Sequence, residues 1–396
     1  MASIRIDNVR VLEPGRGLVG TSLRIVDDRV EAIDPQPTAG DERVIDGRGH
    51  LVTPGLIDVH THGIETCVFE RDAQEMRDGL RRLAKYGVTC CLPTLYRVME
   101  RDSLDRLAAL ANAMTEEPIG GGLHLEGPFL ALAGAGASTL AGDVGLVREL
   151  LAACGGRVAA MSISPETPGI IPVIEHLVEQ GVVVFMTHTR ASVEQTERAI
   201  AAGARHATHF YDVFHVPGPA DAGVRPVGAV EAILAEPGVS VDFIADGVHV
   251  HPAAIRAALA AKGWAGVIAI TDANVGAGLG EGIYPTAWGY DVRVRPEDGA
   301  RIHRPGSADD GQLAGSALTM NVAVGNVRRW LGGRLEDHQI WAMASANPAR
   351  LIGLAGRGSL MPGSRADLVV WDDASDPPHP IRTFVAGKTI FEAPDA

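Results

Sequence analysis

The sequence predicts an α/β fold: a (β/α)8 TIM barrel with a small β-sandwich domain formed from both chain termini. Between residues 54 and 350, eight short apolar runs are mostly separated by longer stretches rich in Ala, Leu, Arg and Glu, as in parallel strands joined by helices. Outside this range, short strand-like runs are divided by Gly, Pro and Asp. We therefore expect residues 1–53 and 351–396 to form the sandwich and residues 54–350 to form the barrel.

The individual elements follow from local patterns of hydrophobicity. Sandwich strands are expected at residues 4–6, 9–12, 23–26, 29–33 and 43–46, and again at 367–371 and 381–386. Barrel strands are expected at residues 56–59, 88–92, 122–125, 159–163, 182–186, 207–208, 241–245 and 267–270. Helical composition and periodicity predict helices at residues 75–86, 103–114, 147–153, 171–180, 193–202 and 252–261. Residues 276–313, rich in Gly, Pro and Asp, are expected to form an insertion near the eighth barrel strand.

Composition and charge exclude several classes of partner. The formal net charge of -14 argues against nucleic acid and against an anionic membrane surface, and no apolar run is long enough to span a membrane. The four cysteines form no CxxC pair, as expected for buried thiols in a reducing compartment. The first residues alternate like a strand and lack the apolar stretch of a signal peptide. We therefore expect a cytoplasmic protein.

Histidines and carboxylates follow most of the predicted barrel strands. Because a barrel carries its chemistry at the carboxyl ends of its strands, these side chains should meet at one mouth. Imidazoles with a carboxylate are the ligands that catalytic divalent metals use. The residues at these strand ends are His60, His62, Glu126, His188, His209, Asp246, His249, His251 and Asp272.

The motifs around these residues resemble the amidohydrolase superfamily and, within it, the N-acetylglucosamine-6-phosphate deacetylase family. The resemblance spans nearly the whole chain. The motif HLEGPF is the most specific, because a Glu metal ligand on the third strand marks the deacetylase branch, where other amidohydrolases usually have a carboxylated Lys. The matching segments are PGLIDVHTHG (54–63), HLEGPF (124–129), THT (187–189), ATHFY (207–211), ADGVHV (245–250), TDA (271–273), LAGSALTM (313–320) and PGSRADLV (362–369).

The resemblance implies a role for each matching residue. Glu126, His188 and His209 would bind the principal metal, and His60 and His62 would add a second.

The same resemblance implies that Asp272 is the general base and that His249 contacts the substrate and polarises the scissile carbonyl. It also places Leu313, the first residue of LAGSALTM, on the substrate side of the site. One or two divalent ions per subunit are expected. Zn²⁺ is the first choice, and Fe²⁺, Mn²⁺ and Co²⁺ suit the same ligands.

The implied chemistry explains why these groups are needed. An amide carbonyl is a poor electrophile, and water is a poor nucleophile at neutral pH. A divalent cation lowers the pKa of water towards about 7 and stabilises an oxyanion. One carboxylate can then take a proton from the water and return it to the leaving amine.

The chain departs from the family pattern at the substrate end. Asp212 follows the ATHFY motif where the family usually has Asn, and a carboxylate there would repel a phosphate. Residues 133–138 contain no His, although the family places one shortly after LEGPF, and residues 213–224 form a longer segment. Arg225 lies near the position of a family arginine that reaches the phosphate from a neighbouring subunit, but a surface ion pair is an equally good interpretation.

We therefore expect a metal-dependent amidohydrolase that deacetylates an N-acetylated amino sugar. The alternatives are a deacylase of a non-phosphorylated or non-sugar N-acyl amine and, less favoured, a non-catalytic barrel scaffold. The partner is a small N-acyl substrate, and a homodimer is implied by the resemblance alone. His124 is expected to pack or to orient a neighbour, and His206 to be solvated or to support the site from behind. The sequence leaves open the roles of His215, His251, Tyr284 and Trp288.

Overall fold

Eight buried strands run parallel in one sheet, and each neighbours the next in chain order. The computed structural model describes residues 3–37, 42–134, 136–218, 221–295 and 297–394. The two edge strands meet through a hydrogen bond of 2.8 Å from the Asp272 N–H to the His60 carbonyl and through a parallel bridge between Thr61 and Ala273. The sheet is thus a nearly closed barrel, and the predicted fold class is confirmed. The barrel strands are β1 Leu56–Thr61, β2 Val88–Leu95, β3 Leu123–Glu126, β4 Val158–Ile163, β5 Val183–Met186, β6 His206–Ala207, β7 Ser240–Ile244 and β8 Val267–Ile270.

The barrel strands read as apolar runs because both of their faces are covered. Every residue of β1 and of β2 is buried. β6 has only two residues, and the chain then turns so sharply that His209 has a φ of 35°. The sequence placed this strand one residue later, at residues 207–208.

All six predicted helices are present, with ends shifted by a few residues. The described residues contain four further helices that were not predicted, although one of them carries a clear signal. Its buried residues Met320, Ala323, Val324, Val327 and Leu331 have helical spacing. The helices are α1 Ala73–Leu83, α2 Leu104–Thr115, α3 Val144–Ala153, α4 Ile170–Glu179, α5 Val193–Ala201, α6 Ala229–Ala235, α7 Pro252–Lys262, α8 Met320–Leu331, α9 Asp337–Met343 and α10 Ala346–Leu351. Short 3-10 helices occur at Ala84–Tyr86, Arg101–Ser103 and Trp264–Gly266.

Strands from both termini pair in two further sheets, which confirms the predicted sandwich. Three of these strands, Gly17–Gly20, Leu51–Pro54 and Lys388–Glu392, were not predicted. The four-stranded sheet contains, in spatial order, Arg29–Ile33, Leu23–Val26, Ser3–Asp7 and Glu42–Asp46. The six-stranded sheet contains Lys388–Glu392, His379–Val385, Leu368–Asp372, Leu51–Pro54, Arg10–Glu13 and Gly17–Gly20. The division at residues 53 and 350 stays a prediction.

The two terminal sheets share one apolar core, with Ile6, Leu23, Ile25, Leu368 and Phe384 among its buried members. The strand Leu51–Pro54 pairs with both Arg10–Glu13 and Leu368–Asp372, so it joins the two ends of the chain. It leads into β1 after one residue, and the sandwich therefore starts the first barrel strand.

The predicted insertion at residues 276–313 contains an antiparallel sheet. Its strands are Gly282–Pro285, Asp291–Arg295 and Gly299–His303. Trp288 and Tyr290 of this insertion are buried against the barrel. The insertion thus forms part of the wall above the carboxyl end of the barrel.

The structure bears on two expectations from the sequence, the one about membrane-spanning helices and the one about the cysteines. Across the described ranges, no helix combines the length and the apolar character needed to cross a membrane. All four cysteines are buried and carry free thiols. Of the segments that depart from the family pattern, Ala135, Pro219 and Ala220 lie outside the described residues.

Candidate active site

The predicted site residues meet at one mouth of the barrel. His60 lies in β1 and Glu126 ends β3, while His188, His209 and Asp272 follow β5, β6 and β8 by two residues each. Parallel strands place all of these positions at the same end of the barrel. The side chains are buried, so their polar atoms need partners inside the protein.

Glu126 is at the centre of the cluster. Its Oε1 lies 3.2 Å from His188 Nε2 and 3.1 Å from His209 Nε2. Its Oε2 faces the other pair, at 3.7 Å from His60 Nε2 and 3.4 Å from His62 Nε2. One carboxylate thus has an oxygen towards each pair of imidazoles.

Asp272 faces the His60 and His62 side of this cluster. Its Oδ1 lies 3.1 Å from His62 Nε2 and 3.6 Å from His60 Nε2. This oxygen is buried, yet none of the described residues meets it in hydrogen-bond geometry. Two groups of donor atoms lie close enough to share a cation: His60 with Glu126 and His209, and His60 with His62 and Asp272. A buried acceptor without a partner, surrounded by imidazoles, fits a divalent metal.

Backbone contacts hold three imidazole rings so that Nε2 points into the cluster. The Nδ1 atoms of His62, His188 and His209 lie 3.1, 3.0 and 3.3 Å from carbonyl oxygens. A carbonyl accepts only an N–H, so Nδ1 carries a proton, and Nε2 is the nitrogen that a metal would bind after displacing any proton there. The carbonyls belong to Thr94, Leu132 and Asp212.

The Glu126 carboxylate and the imidazoles around it shift one another's pKa values. Burial alone would raise the pKa of the Glu126 carboxyl, but the imidazoles of His60, His188 and His209 hold that pKa well below its usual range. Conversely, burial would lower the pKa of His209, whereas the Glu126 carboxylate raises it to about 10. A divalent metal that binds here must displace protons from the imidazoles.

The backbone is strained at three of the site residues. His188, His209 and Asp272 have φ values of 46°, 35° and 47°, in the left-handed region that favours glycine. Such strain persists where the surrounding structure enforces it, and it concentrates at functional sites. Here each residue leaves the end of a barrel strand by a turn that directs its side chain across the mouth.

Two buried carboxylates beneath the cluster support it, and sequence reasoning assigned them no role. Asp242 accepts a hydrogen bond of 2.5 Å from the His209 N–H and lies 2.7 Å from His206 Nε2. Asp58 accepts a hydrogen bond of 2.5 Å from the hydroxyl of Thr271, the residue before the strained Asp272. Burial raises the pKa of Asp58 to about 7. His206 thus supports the site from behind, which was one of its predicted roles. His124 contacts the Ser162 hydroxyl and packs against His60, as expected.

Gly134 lies directly against a predicted metal ligand. A Cβ on Gly134 would lie 2.1 Å from His188 Cε1, and its φ of 51° is in the left-handed region. We expect Gly134→Ala to displace the His188 ring and to lower activity and metal affinity by about 10- to 100-fold. Acetate release and metal content of the purified variant measure this. In the control Gly280→Ala, a Cβ would meet no atom of the described residues within 4 Å, so both quantities should stay at the wild-type level. Equal values in the two variants would contradict the prediction.

A cavity opens above the cluster, and several predicted substrate residues line it. Asp212, His249 and Leu313 are among the lining residues, and so is His215, whose role the sequence left open. His249 Nδ1 donates to Asp246 Oδ2 at 2.7 Å, which leaves Nε2 available to a ligand in the cavity.

Three other candidates lie elsewhere. Arg225 is not among the lining residues: its side chain is 78% exposed and pairs with Glu231 at 2.7 Å. His251 caps helix α7, where its Nδ1 accepts the N–H of Ala253. Tyr284 is also absent from the lining, and its hydroxyl donates to the Gly280 carbonyl.

One wall of the cavity was missed by sequence reasoning. Tyr96 and Tyr290 line the cavity, with their hydroxyl oxygens 3.0 Å apart, and the Tyr96 ring contacts the edge of His62. The buried Glu70 carboxylate accepts the indole N–H of Trp288 at 2.7 Å and the backbone N–H of Tyr96. Trp288 therefore anchors the insertion to the end of β2.

Comparison with known proteins assigns the chain to a family. The sequence model described as "Amidohydrolase family" matches residues 51–390, which is most of the chain. The chain belongs to the amidohydrolase family. The resemblance found in the strand-end motifs is thereby confirmed.

Individual relatives narrow the comparison. This amidohydrolase is 32% identical over 345 residues to an N-acetylglucosamine-6-phosphate deacetylase of Lysinibacillus sphaericus, covering 83% of each chain. It is 32% identical over 360 residues to an N-acetylgalactosamine-6-phosphate deacetylase of Escherichia coli O157:H7, covering 88% of this chain and 90% of the relative. The chain also superimposes on a solved structure with a TM-score of 0.84 and 30% identity, covering 98% of this chain and 99% of the other. That structure is a mutant N-acetyl-D-glucosamine-6-phosphate deacetylase of Mycobacterium smegmatis in complex with N-acetyl-D-glucosamine-6-phosphate.

Family membership fixes the broad reaction class. The protein is a hydrolase that acts on carbon–nitrogen bonds other than peptide bonds. The less favoured alternative, a non-catalytic barrel scaffold, is left without support, because the relatives at this level of identity are named as deacetylases.

Proposed function

We propose that this amidohydrolase removes the acetyl group from an N-acetylated amino sugar with the aid of a divalent metal. The observation that carries the proposal is the buried cluster at the barrel mouth, in which the unpartnered Asp272 Oδ1 faces the imidazoles around Glu126. The names of the relatives support the sugar: those from Lysinibacillus sphaericus and Escherichia coli are named as deacetylases of N-acetylated hexosamine phosphates.

The metal ligands fall into two sets that share Glu126. Glu126, His188 and His209 would hold the principal metal, because Glu126 Oε1 lies 3.1–3.2 Å from both Nε2 atoms. His60 and His62, which face Oε2 of the same carboxylate, would hold the second. When bound, a divalent cation supplies stabilisation of negative charge on the acyl oxygen and acidifies water.

The residues of the chain perform the proton transfers. Asp272 takes a proton from water as the water oxygen attacks the acetyl carbon. The carbon–nitrogen bond then breaks, and Asp272 returns the proton to the amine that leaves, so acetate and an amino sugar are formed. Its position next to His60 and His62 favours this role, because a general base must lie within reach of the water.

His249 would bind the substrate carbonyl. The Asp246 carboxylate accepts from His249 Nδ1 and from the backbone N–H groups of Val248 and His249, so the ring is held in one orientation. Burial would lower the pKa of His249, and the Asp246 carboxylate raises it. A protonated ring can donate from Nε2 to the acyl oxygen and thereby polarise it.

Three further features complete the proposal. Zn²⁺ is the first metal to test, with Fe²⁺, Mn²⁺ and Co²⁺ as the others that suit imidazole and carboxylate ligands. We also propose a homodimer, as the motif resemblance implies, and a cytoplasmic location. The free thiols of all four cysteines support a reducing compartment.

The experiment measures acetate release from a panel of N-acetylated amines by protein stripped of metal and by protein reloaded with Zn²⁺, Fe²⁺, Mn²⁺ or Co²⁺. The panel contains N-acetylglucosamine and N-acetylgalactosamine, each with and without a 6-phosphate, and N-acetylated amino acids. We expect the stripped protein to be inactive and at least one reloaded form to hydrolyse an N-acetylhexosamine. Activity confined to N-acetylated amino acids, or full activity without metal, would contradict the proposal.

A further inference from the structure

A buried carboxylate next to the metal cluster, Glu70, takes part in none of the proposed reaction steps. Glu70 is 1% exposed and follows the short hairpin of Gly63–Ile64 and Cys67–Val68, which comes directly after β1. The hairpin turns the chain back, so that the N–H of Phe69 donates to the carbonyl of His62 at 3.0 Å. The backbone therefore ties Glu70 to a residue that we propose as a ligand of the second metal.

The Glu70 carboxylate accepts three N–H groups from two distant parts of the chain. Its Oε1 accepts the backbone N–H groups of Tyr96 and Arg97, which directly follow β2, the second at 2.8 Å. Its Oε2 accepts the indole N–H of Trp288, in the insertion, at 2.7 Å. All three partners are donors, so the side chain acts as an acceptor only, as an ionised carboxylate does. Because a buried carboxylate is costly to leave unpaired, these bonds hold the insertion against the end of β2.

The two aromatic rings that Glu70 holds both lie against His62. The centroid of the His62 ring is 5.1 Å from that of Tyr96 and 6.2 Å from that of Trp288, with interplanar angles of 85° and 89°. These are edge-to-face contacts, at distances where aromatic rings attract each other. The Tyr96 and Trp288 rings also contact each other, with centroids 5.0 Å apart. His62 thus contacts two rings whose positions depend on Glu70.

The His62 ring needs this support to keep its orientation. Among the described residues, the Thr94 carbonyl is the hydrogen-bond partner of His62 outside the metal cluster, at 3.1 Å from Nδ1. A single bond decides which nitrogen carries the proton, but it leaves the ring free to tilt. Contact with the rings of Tyr96 and Trp288 opposes that tilt. Groups that orient a metal ligand are worth about 10- to 100-fold in metal affinity.

We propose that Glu70 is a positioning residue for the second metal: through Trp288 and Tyr96, it holds the His62 ring in the orientation in which Nε2 binds the ion. Glu70 is not among the residues that line the cavity, so it acts without contacting the substrate. The inference rests on the proposed use of His60 and His62 as metal ligands.

Two variants break the hydrogen bond between Glu70 and Trp288 from opposite ends. In Glu70→Gln, the amide has a single oxygen, so its NH₂ group must face one of the N–H partners. Trp288→Phe removes the indole N–H and keeps the charge of Glu70, while Arg97 still donates to the carbonyl of residue 288 at 2.7 Å. We expect each variant to weaken Zn²⁺ binding at the second site by about tenfold or more. Combining them should weaken it no further than the more affected single variant, because the effects of two residues that share one bond do not add.

Titration of the metal-stripped protein with Zn²⁺, in competition with a chromophoric chelator, measures the affinity of each site. The variant His60→Asn/His62→Asn shows which affinity belongs to the second site, and the affinity of the principal site should not change. Glu117→Gln is the matched control, because it neutralises a buried carboxylate outside the cavity lining that pairs with Arg81 at 2.7 Å. Tyr96→Phe is a second control, because it keeps the ring and removes only the hydroxyl. Both controls should bind two Zn²⁺ ions as the wild type does.

Each possible result decides the inference. Wild-type affinity at the second site in both variants would overturn it and leave the proposed deacetylation standing. A loss in Glu70→Gln alone would also overturn it, because the effect would then come from the charge of Glu70 and not from the position of Trp288. If circular dichroism shows that Glu70→Gln is unfolded, unchanged affinity in Trp288→Phe overturns the inference by itself. A wild type that binds one Zn²⁺ ion would overturn the inference alone, whereas a wild type that binds no metal would overturn the proposed function as well.

Discussion

Replacing Asp272 with asparagine is expected to lower kcat for the hydrolysed N-acetylhexosamine by about 10³-fold, within the range that a positioned general base contributes. Asparagine keeps the size of the side chain and cannot take a proton at neutral pH. The metal held by Glu126, His188 and His209 should stay bound, because none of its proposed ligands changes. Kinetics and metal analysis of the same preparation measure both effects.

The comparison variant is Asp105→Asn, which makes the same change of charge at an exposed position in the first turn of helix α2, outside the cavity lining. It should have wild-type kcat. Two results would contradict the assignment of Asp272. Near wild-type activity would show that another group is the base. Loss of the principal metal in proportion to activity would show that Asp272 acts as a ligand.

The sequence could predict which side chains meet at the barrel mouth, because barrel topology assigns each strand end to the same rim. His188, His209 and Asp272 each follow a short apolar run, and parallel strands bring their carboxyl ends together whatever lies between. No knowledge of side-chain contacts was needed. The positions of Glu126 and His60 at the mouth follow from the same rule.

The residues that support the cluster could not be predicted from the ends of the strands. Asp242 contacts the backbone of His209, 33 residues earlier in the chain, and looks in sequence like one polar residue within a strand. Glu70 and Trp288 are 218 residues apart, and their contact depends on how the insertion folds back over the barrel. Such contacts depend on three-dimensional packing, which local patterns do not encode.

For Arg225, the sequence suggested a role in substrate binding that the structure of the chain does not show. Its sequence position suggested a role at the substrate, and an ion pair was the equally good alternative. Within the chain, the ion pair with Glu231 is the arrangement found. Arg225 lies in a loop, and a loop has no hydrophobic periodicity that predicts which way a side chain points.

The second large effect is expected from Glu126→Gln, which should lower activity by about 10⁴-fold and reduce metal content at both sites. The Glu126 carboxylate presents one oxygen to His188 and His209 and the other to His60 and His62. Glutamine offers one neutral oxygen and an NH₂ group that cannot bind a cation. Loss of several kcal/mol of electrostatic stabilisation corresponds to this rate effect, at about 1.4 kcal/mol for each factor of ten.

The double variant His60→Asn/His62→Asn gives the necessary contrast, because it removes one pair of imidazoles and leaves Glu126, His188 and His209 in place. We expect it to lose one equivalent of metal and to keep at least about a tenth of the activity, since the principal set is complete without it. Metal analysis and circular dichroism of both variants separate loss of metal from loss of fold. If the double variant lost both metals, or if Glu126→Gln kept the metal on the His188 side, the two sets would not share Glu126 in the proposed way. The retained activity therefore decides whether His60 and His62 add a second metal to the site or form its essential part.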